Sequence, residues 1–280
     1  MSSELLVSAA DARWRIRERY VRGQVTRLRR GLYAPPGHAE RLTVSAAVRR
    51  LDAVASLETA ASIWGIPTLG APASIQLTRA RRAQGTARYD GVVVHHARLG
   101  PGHVTWHDGI PVTTAARTVM DLARNRPFRA GVVAADAALR TGVCTREELR
   151  AVADTCRRWP GVARARAVAA FADPRAASPL ESISRVAFHD YHLPRPILQA
   201  TIGGYELADF LWPDCRVIGE ADGLGKYTSP EVLRREKVRE EGLVQLGFTV
   251  FRWTWREAYR RPDALAHRAL EILTRCGYRP

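Results

Sequence analysis

The chain has 280 residues, 46% of them hydrophobic with seven tryptophans, and a formal net charge of +15. That length suits two or three small domains with their own cores, and 43 Lys+Arg against 28 Asp+Glu point to a polyanionic partner, nucleic acid before a membrane surface. No apolar run is long enough to span a bilayer and Met1-Ser-Ser-Glu opens no leader or lipidation motif, which argues against a membrane protein; Cys144, Cys156, Cys215 and Cys276 lack paired spacing, as suits free thiols in a reducing cytoplasm.

Residues 13–30 hold eight arginines against one acid, Glu18. Such a polybasic segment is where phosphate contacts are expected, and Arg22, Arg27, Arg29 and Arg30 are the candidates, with Arg79, Arg81 and Arg82 extending the same basic surface. Gly23 to Pro36 reads as a short hairpin, two strand-like runs framed by glycine and closed by proline. This run resembles the wing of the winged-helix domain in abortive-infection type IV antitoxins. The resemblance implies a helix-turn-helix before the wing, for which about twenty residues stand here in place of about forty.

Residues 42–66 carry small and apolar residues at helical spacing and read as a buried helix pair ending at Gly65-Ile-Pro67. Ala73 to Val112 alternates apolar and polar residues between turn signals and reads as strands. His95, His96, His103 and His107 fall here and are expected as loop histidines, since glycine and proline around His103 and His107 argue against a metal-binding helix. A threonine of Thr113-Thr caps a helix in which Arg117 and Asp121, at i and i+4, form a structural ion pair. The run from Gly109 to Ala123 also resembles the central domain of the antitoxin-like family. Helices at 128–140 and 145–157 follow, and Ala163 to Ala177 is the linker candidate.

Ser178-Pro-Leu-Glu181 is a helix start: capping serine, proline in the first turn, acid at the positive dipole end. Ile197–Ile202 and Tyr205–Trp212 read as strands joined at Gly203-Gly204; Arg216–Asp222 is a third, a helix opens at Ser229-Pro and ends at Gly247, and Phe248–Trp255 is a last strand. Strand side chains alternate, so Glu220 and Asp222 share a face. A two-residue turn at Asp214-Cys215 sets Asp209 opposite Glu220, and one at Pro213-Asp214 sets it opposite Ile218. Either puts Asp209 on that face, whereas a three-residue loop reverses it. Three clustered carboxylates repel, and a divalent cation would neutralise them.

Glu181, Leu207-Ala-Asp209-Phe, Val217-Ile-Gly-Glu220-Ala-Asp222-Gly and Arg239-x3-Leu243-x3-Gly247-Phe-x-Val-x-Arg252 occur in the order of the PD-(D/E)XK nuclease superfamily. Residues 178–259 resemble its very-short-patch-repair-like branch. That resemblance implies an αβββαβ core cleaving phosphodiesters with Mg²⁺ or Mn²⁺. Asp209 and Glu220 would hold the metal, Glu181 would orient the site or complete the metal shell from its helix, and Asp222 would be a third ligand or general base. The superfamily lysine belongs two residues after the second acid, where this chain has Asp222. Of its two lysines, Lys226 is the substitute chosen, to steady charge on the phosphate or position the nucleophile, and Lys237 is the other candidate.

The expected fold class is mixed, multidomain α/β. A winged-helix-like basic region and helix pair would fill 1–70, an α+β antitoxin-like domain 71–172, and a nuclease-like αβββαβ domain 173–280, able to fold alone. The expected function is DNA binding with metal-dependent endonuclease activity; the alternative is an antitoxin-like DNA-binding regulator whose nuclease-like domain is an inactive scaffold.

Overall fold

The computed structural model describes residues 6–7, 26–29, 32–34, 39–70, 74–80, 85–89, 91–203, 205–222 and 230–279. The protein is mixed α/β, as the sequence predicts, and divides into two compact units, one of Met1–Ile63 with Ala71–Thr114, the other of Trp64–Gly70 with Ala115–Pro280. The boundary expected near 173 falls inside the second unit.

In the first unit β1 (Leu6–Val7), β2 (Thr26–Arg29) and β3 (Leu32–Ala34) form a sheet in the order β1-β3-β2. Strands β2 and β3 are the expected hairpin, antiparallel with Arg27 opposite Tyr33. Helix α1 (Ala39–Leu51) and helix α2 (Leu57–Ile63) are the expected pair, separated by the two-residue strand β4 (Val54–Ala55). With β5 (Ile75–Ala80), β6 (Gly85–Tyr89), β7 (Val92–Ala97), β8 (Val104–His107) and β9 (Ile110–Thr113), β4 builds a mixed sheet ordered β6-β7-β5-β4-β9-β8. Its buried polar groups are matched: Thr78 donates to Ser56 at 2.8 Å, the Gln76 amide N–H to Thr59 at 2.8 Å, and the His95 ring meets the Gln76 side chain at 2.8 Å. His95 is therefore a structural histidine.

The second unit opens with four helices, α3 (Ala115–Asn125), α4 (Phe128–Arg140), α5 (Arg146–Thr155) and α6 (Val162–Phe171). The segment 163–177, read as a linker, is mostly α6. Its Ala165, Val168 and Ala169 recur at helical spacing and are buried, which compositional reading of an Ala/Arg-rich stretch overlooked. Close packing enforces two glycines. A Cβ on Gly131 would stand 2.9 Å from Val168 and from Ala123, and one on Gly161, where φ is +77°, would stand 2.4 Å from the Arg124 carbonyl oxygen. The expected Arg117–Asp121 pair is present at 2.7 Å, Arg124 adds a second contact to Asp121 at 2.8 Å, and both guanidiniums lie over the Trp159 ring.

Helix α7 (Pro179–Asp190), strands β10 (Ile197–Ile202), β11 (Tyr205–Trp212) and β12 (Val217–Asp222), helix α8 (Pro230–Gln245) and strand β13 (Thr249–Thr254) give the αβββαβ order expected, with sheet order β10-β11-β12-β13. Helices α9 (Trp255–Arg260) and α10 (Pro262–Arg275) follow. Phe210, Trp212, Phe251 and Trp253 pack on one sheet face against Phe188 of α7 and Leu265 of α10; Ile218 packs on the other against Leu243 of α8.

The four-helix part is tied to this sheet layer by ions. Asp136 of α4, 1% exposed, accepts from Arg185 at 2.7 Å, from Ser182 at 2.8 Å and from the Asp173 amide at 2.7 Å. Asp173 accepts both side-chain and backbone bonds from Arg175. Burial alone would raise the Asp173 carboxyl, but these bonds hold it at about 2 against the usual 3.8. A lowered carboxylate contributes stability that is complete above about pH 4 and lost as pH falls toward 2. Urea melts at pH 5 and pH 2.5 should therefore show wild type losing about 2 kcal/mol more than Asp173→Asn.

Candidate functional site

The carboxylates gather where α7 meets the C-terminal sheet. Strand β11 pairs antiparallel with β12, Phe210 opposite Gly219 and Leu211 opposite Ile218, so one step further Asp209 stands opposite Glu220. The connection is longer than a two-residue turn, a 3-10 turn at Pro213–Cys215 followed by Arg216 at φ +52°, yet it produces the register expected for a turn at Asp214-Cys215. Alternation sets Glu220 and Asp222 on the face of Ile218, toward α8.

Each acid has partners within the chain. The Glu181 carboxylate accepts the Ala177 amide at 2.8 Å and the Ser178 hydroxyl at 2.8 Å, while Ser178 caps the Glu181 amide at 3.2 Å, a reciprocal closure of the helix start. Glu181 is 4% exposed; burial first, then the Asp209 charge, raise its carboxyl above the ordinary range. Gln199 bridges the two acids, donating to Glu181 at 2.9 Å and to Asp209 at 3.2 Å. The other Asp209 oxygen accepts the Ala221 amide at 2.8 Å. Gln199 holds this position at φ +53°, beside the register shift between Ala200 and Ile202. Glu220, 5% exposed, takes Arg239 of α8 at 2.8 Å, and Asp222 faces Arg252 at 4.0 Å.

Thus Glu181 and Asp209 share one hydrogen-bonded link, and Glu220 lies opposite Asp209 with its own cation. The partners Gln199 and Arg239 were not assigned roles from sequence. Arg239 was visible as a motif residue, whereas Gln199 carries no signal beyond a polar residue in a strand. Lys237 is 80% exposed on its side chain and lies 4.0 Å from Glu241. Lys226, Arg22, Arg30, Arg81 and Arg82 lie outside the described residues, and Arg27 and Arg29 stand on β2. Among the described residues no three His, Cys, Asp or Glu side chains form a group that could hold a metal ion, the four histidines included. Glu181, Asp209 and Glu220 each accept hydrogen bonds from the chain's own donors, and Asp222 approaches Arg252 at 4.0 Å. Among the described residues no helix is long and apolar enough to cross a membrane.

Residues 53–169 match the family model of the AbiEi antitoxin C-terminal domain, which supports the antitoxin-like part of the sequence reading. Two proteins from strains of Mycobacterium tuberculosis, Uncharacterized protein MT2308 and Uncharacterized protein Rv2248, are each 32% identical over 259 residues, spanning 90% of this chain and 94% of theirs. The crystal structure of RV2827C protein from the same species aligns at 16% identity with a TM-score of 0.38, over 70% of this chain and 76% of that one. At nearly full length on both sides, the mycobacterial matches place this chain in the family of Uncharacterized protein Rv2248, with an AbiEi antitoxin-like segment at its centre.

Proposed function

We propose that the protein is an antitoxin-like, DNA-binding regulator whose C-terminal αβββαβ part is a nuclease-like scaffold. The match of residues 53–169 to the AbiEi antitoxin C-terminal domain carries this reading. The net charge of +15 and the arginines on and around the β2–β3 hairpin support it. Arg22, Arg27, Arg29 and Arg30 contact phosphates in this reading, and the acids serve the fold by capping α7 and pairing with α8. Fluorescence anisotropy with labelled duplex DNA tests it. The logarithm of the association constant should fall linearly with the logarithm of salt concentration, since each neutralised phosphate releases counterions. Arg27→Ala with Arg29→Ala should weaken binding about tenfold or more at low salt and flatten the slope by about two. A slope near zero would remove the phosphate-contact reading.

A second reading keeps the nuclease. The observation that favours it is the register placing Asp209 opposite Glu220 with Asp222 two residues on, within the αβββαβ order. It requires Gln199 and Arg239 to leave the acids so that Mg²⁺ or Mn²⁺ binds, with Lys226 or Lys237 beside the phosphate. Nicking of plasmid DNA that needs the metal and is lost in Asp209→Asn would support it.

A further inference from the structure

A cavity of about 220 Å³ lies in the second unit, between the end of α6, the second half of α7 and the start of β10, and its lining includes none of Glu181, Asp209, Glu220 and Asp222. Its apolar walls are Phe171, Phe188, Leu193 and Leu198, and the His189 ring, set against Phe171, lines it as well. Two of the charged groups lining it are already matched. Arg185 donates one terminal nitrogen to Asp136 and the other to the Phe171 carbonyl oxygen, each at 2.7 Å, and lies over the Phe171 ring. Asp173 is engaged by Arg175 at 2.7 Å. Arg195 differs: its side chain is 81% exposed and reaches Asp173 only at 3.6 Å. The cavity therefore joins apolar walls and the His189 ring to an exposed guanidinium whose ion pair with Asp173 is the longer of the two that Asp173 makes.

We propose that this cavity is a binding site for a small carboxylate with a compact apolar body, aromatic or branched. The apolar part replaces water against Phe188 and Leu198, and the carboxylate takes Arg195 as a paired, charge-assisted partner. The volume is below the roughly 300 Å³ at which sites for drug-sized molecules begin, so the ligand is a small one. A cationic ligand has no matching group, because the Asp173 carboxylate is taken by Arg175. The site is independent of DNA binding and of any chemistry at Asp209.

The test is isothermal titration and thermal melting of the full chain with benzoate, phenylacetate and isovalerate, against benzamide and benzylamine as neutral and cationic counterparts. At least one carboxylate should bind saturably at millimolar concentration or below and raise the melting temperature, while the amide and the amine do not. Arg195→Ala should weaken binding about tenfold, the loss expected for one charge-assisted pair, and Arg195→Lys should recover part of it. Ala170→Trp, at the exposed rim, should block binding without lowering the melting temperature of the free protein. Benzamide binding as tightly as benzoate, unchanged binding in Arg195→Ala, or no binding by any carboxylate would overturn the proposal.

Discussion

Asp136→Ala should destabilise the protein by about 3–5 kcal/mol, because it strands Arg185, 7% exposed, without the carboxylate facing it. The substitution also removes the acceptor of the Ser182 hydroxyl and of the Asp173 amide, both buried. Asp136→Asn should be milder, since an amide oxygen keeps part of that set. Burial pushes the Asp136 carboxyl up to about 6, against the pull of Arg185 and its hydrogen bonds. A raised folded-state carboxyl favours the fold most below the unfolded value of about 3.8 and loses that advantage as pH rises to about 6. Wild-type stability should therefore decline across that window, and the Asn variant should not. Chemical denaturation at pH 4, 5, 6 and 7 reads both effects. The same contact bears on domain boundaries. A fragment of residues 115–280 retains Asp136 and should melt cooperatively, whereas one starting at 174 lacks it and should be weaker by a similar amount.

Arg239→Ala should cost about 3–5 kcal/mol as well, since Glu220 is 5% exposed and loses a guanidinium 2.8 Å away. Pairing it with Glu220→Gln should cost less than the two losses added, because removing both charges avoids a stranded one. Magnesium discriminates between the two readings of the site. If the acids are structural, Mg²⁺ leaves the melting temperature of the wild type unchanged and restores little in Arg239→Ala. If they form a latent metal site, removing the guanidinium opens it. Mg²⁺ or Mn²⁺ then raises the melting temperature of the variant by linkage, and Asp209→Asn cancels the gain.

Much of this architecture was legible because it rests on short-range rules. Ser178-Pro-Leu-Glu181 announces its helix through capping chemistry, and the structure has that cap with both reciprocal bonds. Alternation predicted the common face of Glu220 and Asp222, and hairpin parity predicted the face of Asp209, the observed register being one of the two it left open, even though the turn differs in type. The 163–177 segment was misread because alanine and arginine suit both linkers and helices; only the packing of Val168 against Gly131 decides it. Helices α9 and α10 went unassigned, although Thr254 with Glu257 forms a capping box and Pro262 opens the second.

The site was legible in its acids and not in what surrounds them. Carboxylates at i and i+2 advertise a metal, but whether they face a cation or the chain's own donors depends on distant residues. Gln199 takes its place through a left-handed backbone at a bulge, and Arg239 arrives from the helix after β12. Neither arrangement follows from local propensity. The division into units was obscured for a related reason: the Asp136–Arg185 pair spans 49 positions, and no composition shift marks it.

Supercoiled plasmid incubated with the full chain and Mg²⁺ or Mn²⁺, then run with and without removal of the protein, tests the central claim most directly. The plasmid should be retarded at low salt, released as salt is raised, and still supercoiled once protein is stripped away, with or without metal. Unretarded plasmid at low salt would contradict the DNA-binding reading. Nicked or linear product that requires the metal and disappears in Asp209→Asn would contradict the scaffold reading and establish the acids as catalytic.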